Sequence, residues 1–229
     1  MFLGVSILIF EEQITQSDLI TNFNKISTQV IYNNSMVSFK QILRLNAAGH
    51  PTGWVNYETA VKLYHLGQIA YECGSSTTRI RGGINRLTGL RSTLDINSII
   101  ATNSSHKLDY SSFTPSLNNT TLFMRDANTC LYCGDKFTHK HLSRDHIIPL
   151  SLGGEDIWTN VATACRRCNN LKGGRTPEDA KMMLVAVPFS PSRVEYLILR
   201  GRTILADQME FLISHISKNS PLLARYKTS

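Results

Sequence analysis

Two pairs of cysteines constrain the fold of this chain more than any other feature of its sequence. Cys130 and Cys133 form one CxxC pair, and after 31 intervening residues Cys165 and Cys168 form another. A CxxC turn places two sulfurs on one side of an ion, and thiolates are preferred ligands of structural zinc. The spacing therefore predicts a tetrahedral four-cysteine zinc site. Because four thiolates leave no coordination position open, we expect this zinc to be structural.

The rest of the cysteine and apolar pattern fits a reducing cytoplasm. Few large apolar residues lie around the cysteine pairs, so we expect folding there to depend on zinc. Cys73 lies on an apolar stretch and is interpreted as a small buried residue. A zinc–thiolate site and a free thiol both suit a reducing compartment. Residues 2–10 form an apolar run too short to cross a bilayer, interpreted as a buried strand, and we expect no membrane partner.

Charge gives weaker guidance about partners. The chain of 229 residues has 24 basic and 17 acidic residues, a net charge of +7, which favours a polyanionic partner. No segment is a basic tail, so any such surface must come from the placement of basic side chains. Residues 74–94 contain no acidic residue and predict a flexible arginine loop, which either grips phosphates or is a solvated face. Its arginines are Arg79, Arg81, Arg86 and Arg91.

A second group of residues, between and just after the cysteine pairs, has the chemistry of a hydrolytic site. His146 follows Asp145 directly, and histidine is the side chain best suited to take a proton from water near neutral pH. Asp145 is a hard oxygen ligand suited to Mg²⁺ or Mn²⁺, and Asn169, directly after the last cysteine, offers an amide oxygen. Neighbouring strand residues point to opposite faces, so Asp145 and His146 share a site only at a distorted strand end. The nearby Pro149 permits such a distortion.

These residues resemble the HNH endonuclease family, the ββα-metal nucleases. The resemblance covers about residues 120–182, and residues 42–115 look more loosely like the N-terminal region of stand-alone bacterial HNH proteins. The matching residues are Cys130, Cys133, Asp145, His146, Ile147, Ile148, Pro149, Gly153, Gly154, Asn160, Cys165, Arg166, Arg167, Cys168, Asn169, Lys172 and Gly173.

The resemblance implies a role for each matching position. His146 would be the general base that activates water, and Asp145 and Asn169 would bind the catalytic divalent metal, Mg²⁺ or Mn²⁺. Asn160 would brace the loop between two strands and so orient the histidine. The first strand would include Ile147 and Ile148. The second strand would include residues 161–163, and the helix would start near residue 164.

We predict an α+β fold in three parts. Residues 1–115 would form a small N-terminal α+β domain that contacts or targets DNA. Residues 116–187 would form the zinc-stabilised HNH nuclease domain, and residues 188–229 a C-terminal helical extension. The apolar stripe of that extension either packs on the chain's own core, which we favour, or forms a homodimer seam.

Local patterns predict individual elements. Strands are predicted at residues 42–45 and 69–73, and residues 101–119 read as a linker. Helices are predicted after Ser17 and Asn56, over residues 120–126, from Thr176 to about residue 185, and from the capping box of Ser192 and Glu195 to about residue 217. Gly201 is the position at which this last helix is able to bend.

Taken together, the sequence predicts a metal-dependent endonuclease that hydrolyses DNA, with double-stranded DNA as the favoured substrate. Alternatives are a non-catalytic zinc-dependent DNA-binding module and an RNA-directed nuclease of a defence or toxin system. Restriction, phage defence, mobile-element and phage-packaging roles all remain open. Basic residues expected to hold flanking phosphates are Arg144, Arg166, Arg167, Lys172, Arg175, Arg79 and Arg81.

Overall fold

The computed structural model describes residues 41–103 and 113–226. The strand predicted at residues 2–10 and the helix predicted after Ser17 lie outside the described residues. Within the described ranges, no helix has the length and apolar character needed to cross a membrane.

A four-stranded sheet forms the first half of the described chain. Its strand order is β2-β1-β4-β3, with β1 parallel to β4 and the other two neighbouring pairs antiparallel. The elements are β1 (Ile42–Asn46), β2 (Pro51–Val55), α1 (Tyr57–His65), β3 (Ile69–Ile84) and β4 (Arg91–Thr102). The predicted helix cap is confirmed, because the Asn56 side chain accepts a hydrogen bond from Thr59 N at 3.0 Å.

The C-terminal helices cover one face of this sheet. They are α4 (Arg193–Arg200), α5 (Ala206–Ser214) and α6 (Leu223–Tyr226). The predicted apolar stripe packs on the chain's own core, where Leu197, Ile198 and Leu212 join Leu43 and Ile99 in one buried cluster. The α+β fold class is confirmed.

The single long helix predicted for this region is wrong, because the chain breaks into two helices at Gly201. Gly201 has φ −65° and ψ 126°, an extended conformation that ends α4. The predicted capping box is present: Ser192 Oγ accepts from Glu195 N at 3.3 Å, and Glu195 Oε2 accepts from Ser192 N at 2.6 Å.

A two-stranded antiparallel sheet and its flanking helices form the second half. These elements are α2 (Asn119–Arg125), β5 (Leu142–His146), β6 (Val161–Cys165) and α3 (Arg166–Lys172), and α2 confirms the helix predicted at residues 120–126. Arg125 is fully buried, and its guanidinium donates to Asp126 and to the carbonyls of Trp158 and Val161. A buried charge of this kind is tolerated only because its donors are paired.

Three further local predictions are wrong. Ile147 and Ile148 lie beyond the end of β5, not inside it. Residues 177–181 form a turn and not a helix. Lys181 has φ 55°, in the left-handed region, so the helical conformation ends after one turn. The predicted arginine loop is a β-hairpin, in which Arg79 pairs with Asp95 across β3 and β4.

Candidate functional site

The four cysteines come together as the sequence predicts. The Sγ atoms of Cys130, Cys133, Cys165 and Cys168 all lie within 4.8 Å of one another. Zinc–sulfur bonds of about 2.3 Å place the sulfurs of a tetrahedral site about 3.8 Å apart, so the cluster fits a zinc ion with small adjustments. No other ligand type is needed to complete four coordination positions.

The two CxxC turns are tied to the same strand. Leu131 N donates to Thr163 O of β6 at 2.8 Å, so the first turn packs beside that strand. Cys165 ends β6 and is also the N-cap of α3, where its Sγ accepts from Cys168 N at 3.4 Å. The position of α3 is therefore linked to the cysteine cluster.

Burial and neighbouring thiols change the pKa values of the clustered cysteines. Burial raises the pKa of Cys133 to about 11. Burial, and next a hydrogen bond that the Cys168 thiol donates to Cys165, raises the pKa of Cys168. Thiols with raised pKa values are protonated near neutral pH, so zinc binding must release their protons. We therefore expect zinc affinity to fall as pH falls.

β5, β6 and α3 place the predicted hydrolytic residues around one cavity. The antiparallel register pairs Asp145 with Ala162 and His146 with Val161, which is the last pair of β5. Directly beyond it, the chain leaves the sheet and opens a cavity of about 170 Å³. The cavity is lined by Arg144, Asp145, His146, Pro149, Leu150, Asn169, Lys172 and Gly173.

Asp145 is buried in contact with two donors. Its Oδ1 lies 3.0 Å from Lys172 Nζ, and its Oδ2 accepts a hydrogen bond from the Tyr132 hydroxyl. Lys172 also donates to His146 O at 2.7 Å and is only 1% exposed. The prediction that Lys172 is an exposed phosphate contact is therefore wrong. Lys172 is a buried residue that links α3 to the end of β5.

His146 is held from the loop that follows β5. Its Nε2 lies 2.8 Å from Asp156 Oδ1, and Arg144 Nη1 contacts the same carboxylate at 2.6 Å. The hydrogen bond from Arg144, with a smaller contribution from His146, holds the pKa of Asp156 below its usual value. Asp156 is therefore a carboxylate near neutral pH. This pair leaves Nδ1 of His146 as the nitrogen available to a further partner.

Asn169 faces the same cavity from α3. Its Nδ2 donates to Ser143 Oγ at 2.8 Å and lies 3.4 Å from Arg144 O. The two contacts orient the amide and leave its oxygen available as a ligand. Because Asn169 follows Cys168 within α3, the cysteine cluster sets where that oxygen lies.

Asn160 does not line the cavity, and its side chain braces the loop that follows β5. Its Nδ2 donates to the carbonyls of Ile148 and Glu155 at 3.0 and 2.8 Å, and its Oδ1 accepts from Ile148 N at 2.9 Å. Gly154 allows this close approach, since a Cβ there would collide with the backbone of Ile148. The loop that carries Asp156 is thereby fixed relative to β5.

The other basic residues predicted to bind phosphates do not line this cavity. Arg166 and Arg167 are exposed on α3. Arg175 donates to the carbonyls of Leu171 and Lys172 at 2.6 and 3.1 Å, so it caps the end of that helix. Arg79 and Arg81 lie on the β3–β4 hairpin.

Sequence reasoning missed two residues of the site. Tyr132 sits inside the first CxxC pair, and its hydroxyl reaches Asp145 only because that turn packs beside β6. Asp156 lies ten residues after His146, in a loop without periodic pattern, so no local signal connects it with the histidine. The glycine pair before it, Gly153 and Gly154, is the sequence signal that could have indicated a tight turn back towards the end of β5.

Comparison with known proteins agrees with the geometry. The model of a family described as HNH endonuclease matches residues 130–185, which contain all four cysteines and every residue that lines the cavity. No match was found among curated proteins. HNH domains are of nuclease type, act on nucleic acid and generally use a divalent metal. Residues 130–185 of this chain are therefore similar to the HNH endonuclease family.

Proposed function

We propose that the chain is a metal-dependent endonuclease that hydrolyses phosphodiester bonds in DNA. The observation that carries this proposal is the shared cavity of Asp145, His146 and Asn169 inside the segment that matches the HNH family. A carboxylate, an imidazole and an amide oxygen are the groups that a metal-assisted hydrolysis requires. Arg144 also lines the cavity and its side chain is partly exposed, which suits a phosphate.

Asp145 and Asn169 would hold the catalytic metal, Mg²⁺ or Mn²⁺. Both offer oxygen atoms, the ligand type that these hard cations prefer. When bound, such a metal neutralises negative charge on the scissile phosphate and on the leaving oxygen. Lys172, 3.0 Å from Asp145 Oδ1, would share that carboxylate with the metal. The cysteine cluster would hold a structural zinc and take no part in the reaction.

His146 would act as the general base. Because Nε2 contacts Asp156, Nδ1 is the atom that would accept the proton from the attacking water. Attack in line on the phosphorus would leave a 5′-phosphate and a 3′-hydroxyl. Asn160 would act through the loop, by keeping the backbone around residues 147–156 in place.

A cleavage assay tests the proposal directly. Zinc-loaded protein, dialysed free of other divalent ions, should nick supercoiled plasmid after addition of Mg²⁺ or Mn²⁺ and should be inactive without them. Parallel reactions on single-stranded DNA and on RNA identify the polymer. Absence of cleavage of any DNA in every divalent metal would overturn the endonuclease proposal, and preference for RNA would replace DNA as the substrate.

Asp156 is expected to be a positioning residue for His146. Asp156→Asn keeps the shape of the side chain but removes the charge that holds both His146 Nε2 and Arg144. We expect kcat to fall about 10- to 100-fold, a part of the 10²–10⁴ that a positioned base contributes, with little change in KM. Steady-state nicking rates over a range of DNA concentrations measure this split.

The neighbouring exposed Glu155 supplies the matched control for that measurement. Glu155→Gln removes the adjacent negative charge, and the contact of Asn160 with Glu155 involves only the backbone carbonyl. This variant should cleave at the parental rate. Equal rates for Asp156→Asn and the parent protein would show that the carboxylate does not position the base.

A further inference from the structure

The β3–β4 hairpin extends beyond the sheet that anchors it. β1 pairs with β4 only from Ile99 to Thr102. From Thr77 to Ile84 and from Arg91 to Asn97, β3 and β4 pair with each other alone among the described strands. This part, residues 77–97, is called the ribbon below. A two-stranded β-ribbon is narrow enough to enter a groove of duplex DNA.

One face of the ribbon is fixed to the protein. Thr78 and Ile96 are buried, and Ile80 and Leu94 pack into the cluster that includes Ala60 of α1. Successive strand residues point to opposite faces, so the residues between these positions lie on the opposite, exposed face. The base of the ribbon is therefore held at a defined position, with one face left exposed.

The exposed face carries the arginines. Arg79 stands opposite Asp95, and Arg81 stands opposite Thr93. The register shift at Gly82 and Gly83 adds one residue to β3 only, so Arg91 stays on the same face of β4 as Thr93 and Asp95. Residues 77–97 contain four arginines and one acidic residue, Asp95, whose carboxylate is paired with Arg79 at 2.7 Å. The remaining charge is positive and suits a polyanion.

The tip of the ribbon exposes apolar side chains on an ordered turn. Asn85 Oδ1 accepts from Leu87 N at 2.9 Å and from Thr88 N at 3.2 Å, and Asn85 N donates to Leu90 O at 2.8 Å. Leu87 is 96% exposed and Leu90 is 71% exposed. Apolar side chains presented together on a fixed turn, beside arginines, are typical of an interaction surface.

We propose that the ribbon is a DNA-binding arm that enters the minor groove, with Leu87 as a wedge between base pairs. Arg81, Arg86 and Arg91 would contact the flanking phosphates, and the wedge would unstack one base step and bend the duplex. The proposal rests on the proposed function for its ligand class, duplex DNA. Ribbon width, surplus positive charge and an exposed leucine at the tip fit DNA together, whereas an apolar protein partner would account for the leucine alone.

Binding and unstacking are measured with the full chain carrying His146→Ala, so that the duplex stays intact. Fluorescence anisotropy gives the Kd, and a 2-aminopurine base in the duplex reports unstacking through increased fluorescence. Arg81→Glu, Arg86→Glu and Arg91→Glu should each weaken binding several-fold, and the slope of log Kd against log salt should fall by about 1 for each arginine. Leu87→Ala should abolish the fluorescence increase with a smaller loss of affinity.

Matched controls lie elsewhere on the surface. Arg202→Glu removes an exposed arginine, and Leu66→Ala removes an exposed leucine at the end of α1. Both should bind and unstack as the parent does, and circular dichroism should show all variants folded. If the three arginine variants bind with parental affinity, the arm does not contact DNA. If Leu87→Ala retains the fluorescence increase, Leu87 does not insert between base pairs. Either result leaves plasmid cleavage by the wild type, which judges the endonuclease proposal, unaffected.

Discussion

Cys165→Ser should lose zinc and unfold the region around the two CxxC turns. Cys165 contributes one of the four clustered sulfurs, ends β6 and caps α3. A serine hydroxyl is a poor replacement for a zinc thiolate, and structural zinc contributes about 10–16 kcal/mol of folding free energy in zinc-finger peptides. The apolar cluster around the sulfurs is small, with Ala164, Tyr132 and Phe137 as its other main members. It cannot replace that contribution.

The four-stranded sheet should stay folded in Cys165→Ser. That sheet is buried in two clusters of its own, which include Leu43, Leu45 and Ile99 in one and Ile42 and Ile100 in the other. Zinc content measured with a chromogenic chelator should fall by about one equivalent. Hydrogen exchange should become fast in residues 130–172 and stay slow in β1 and β4.

Cys73→Ser is the control for that experiment, because Cys73 is a free cysteine outside the zinc cluster. It should retain full zinc. Parental zinc content and exchange rates in Cys165→Ser would mean that the cysteine cluster does not organise this half of the chain.

His146→Ala should have the opposite pattern: a folded, zinc-loaded protein that does not cleave. The imidazole is 22% exposed, and its side-chain contact is with Asp156, so its removal opens no buried cavity. Loss of a positioned general base costs about 10²–10⁴ in rate. Plasmid nicking in Mg²⁺ should fall by this factor, while zinc content and melting temperature stay near parental values.

His141→Ala supplies the matched histidine control, since His141 is exposed on the short helix before β5. It should cleave at the parental rate. If His146→Ala lost zinc as Cys165→Ser does, the division between a structural cysteine cluster and a separate hydrolytic cavity would be wrong. Parental cleavage by His146→Ala would exclude the histidine as the base.

Sequence reasoning succeeded where a short-range interaction decides the structure. Helix caps such as Asn56 and Ser192 act within three residues of their partners, so their patterns predicted α1 and the start of α4. The CxxC spacing predicted the cysteine cluster because the chemistry of the ligands demands that the sulfurs meet. Asn169 reaches the cavity of Asp145 and His146 because β6 pairs with β5 and leads through Cys165 directly into α3.

Prediction failed where a distant contact decides the structure. The cap at Thr176 forms, yet the chain turns away after Lys181 and Val185 N donates to Leu131 O beside the first CxxC turn. That tertiary hydrogen bond is invisible to a local helix pattern. Lys172 reads as a surface cation in the sequence, but the end of β5 supplies buried acceptors for it. Pairing between the neighbouring strands β3 and β4 also turned the predicted arginine loop into a hairpin.

The buried arginine at the end of α2 has a consequence for the smallest fragment that can fold. Arg125 supplies donors to the carbonyls of Trp158, Val161 and Phe189, and its neighbour Asp126 accepts from Thr163 N at 2.9 Å. A fragment cut at the start of the family match, residue 130, would remove the side chains that satisfy these backbone groups. Expression boundaries for the isolated nuclease segment should therefore be placed upstream of α2, before residue 118.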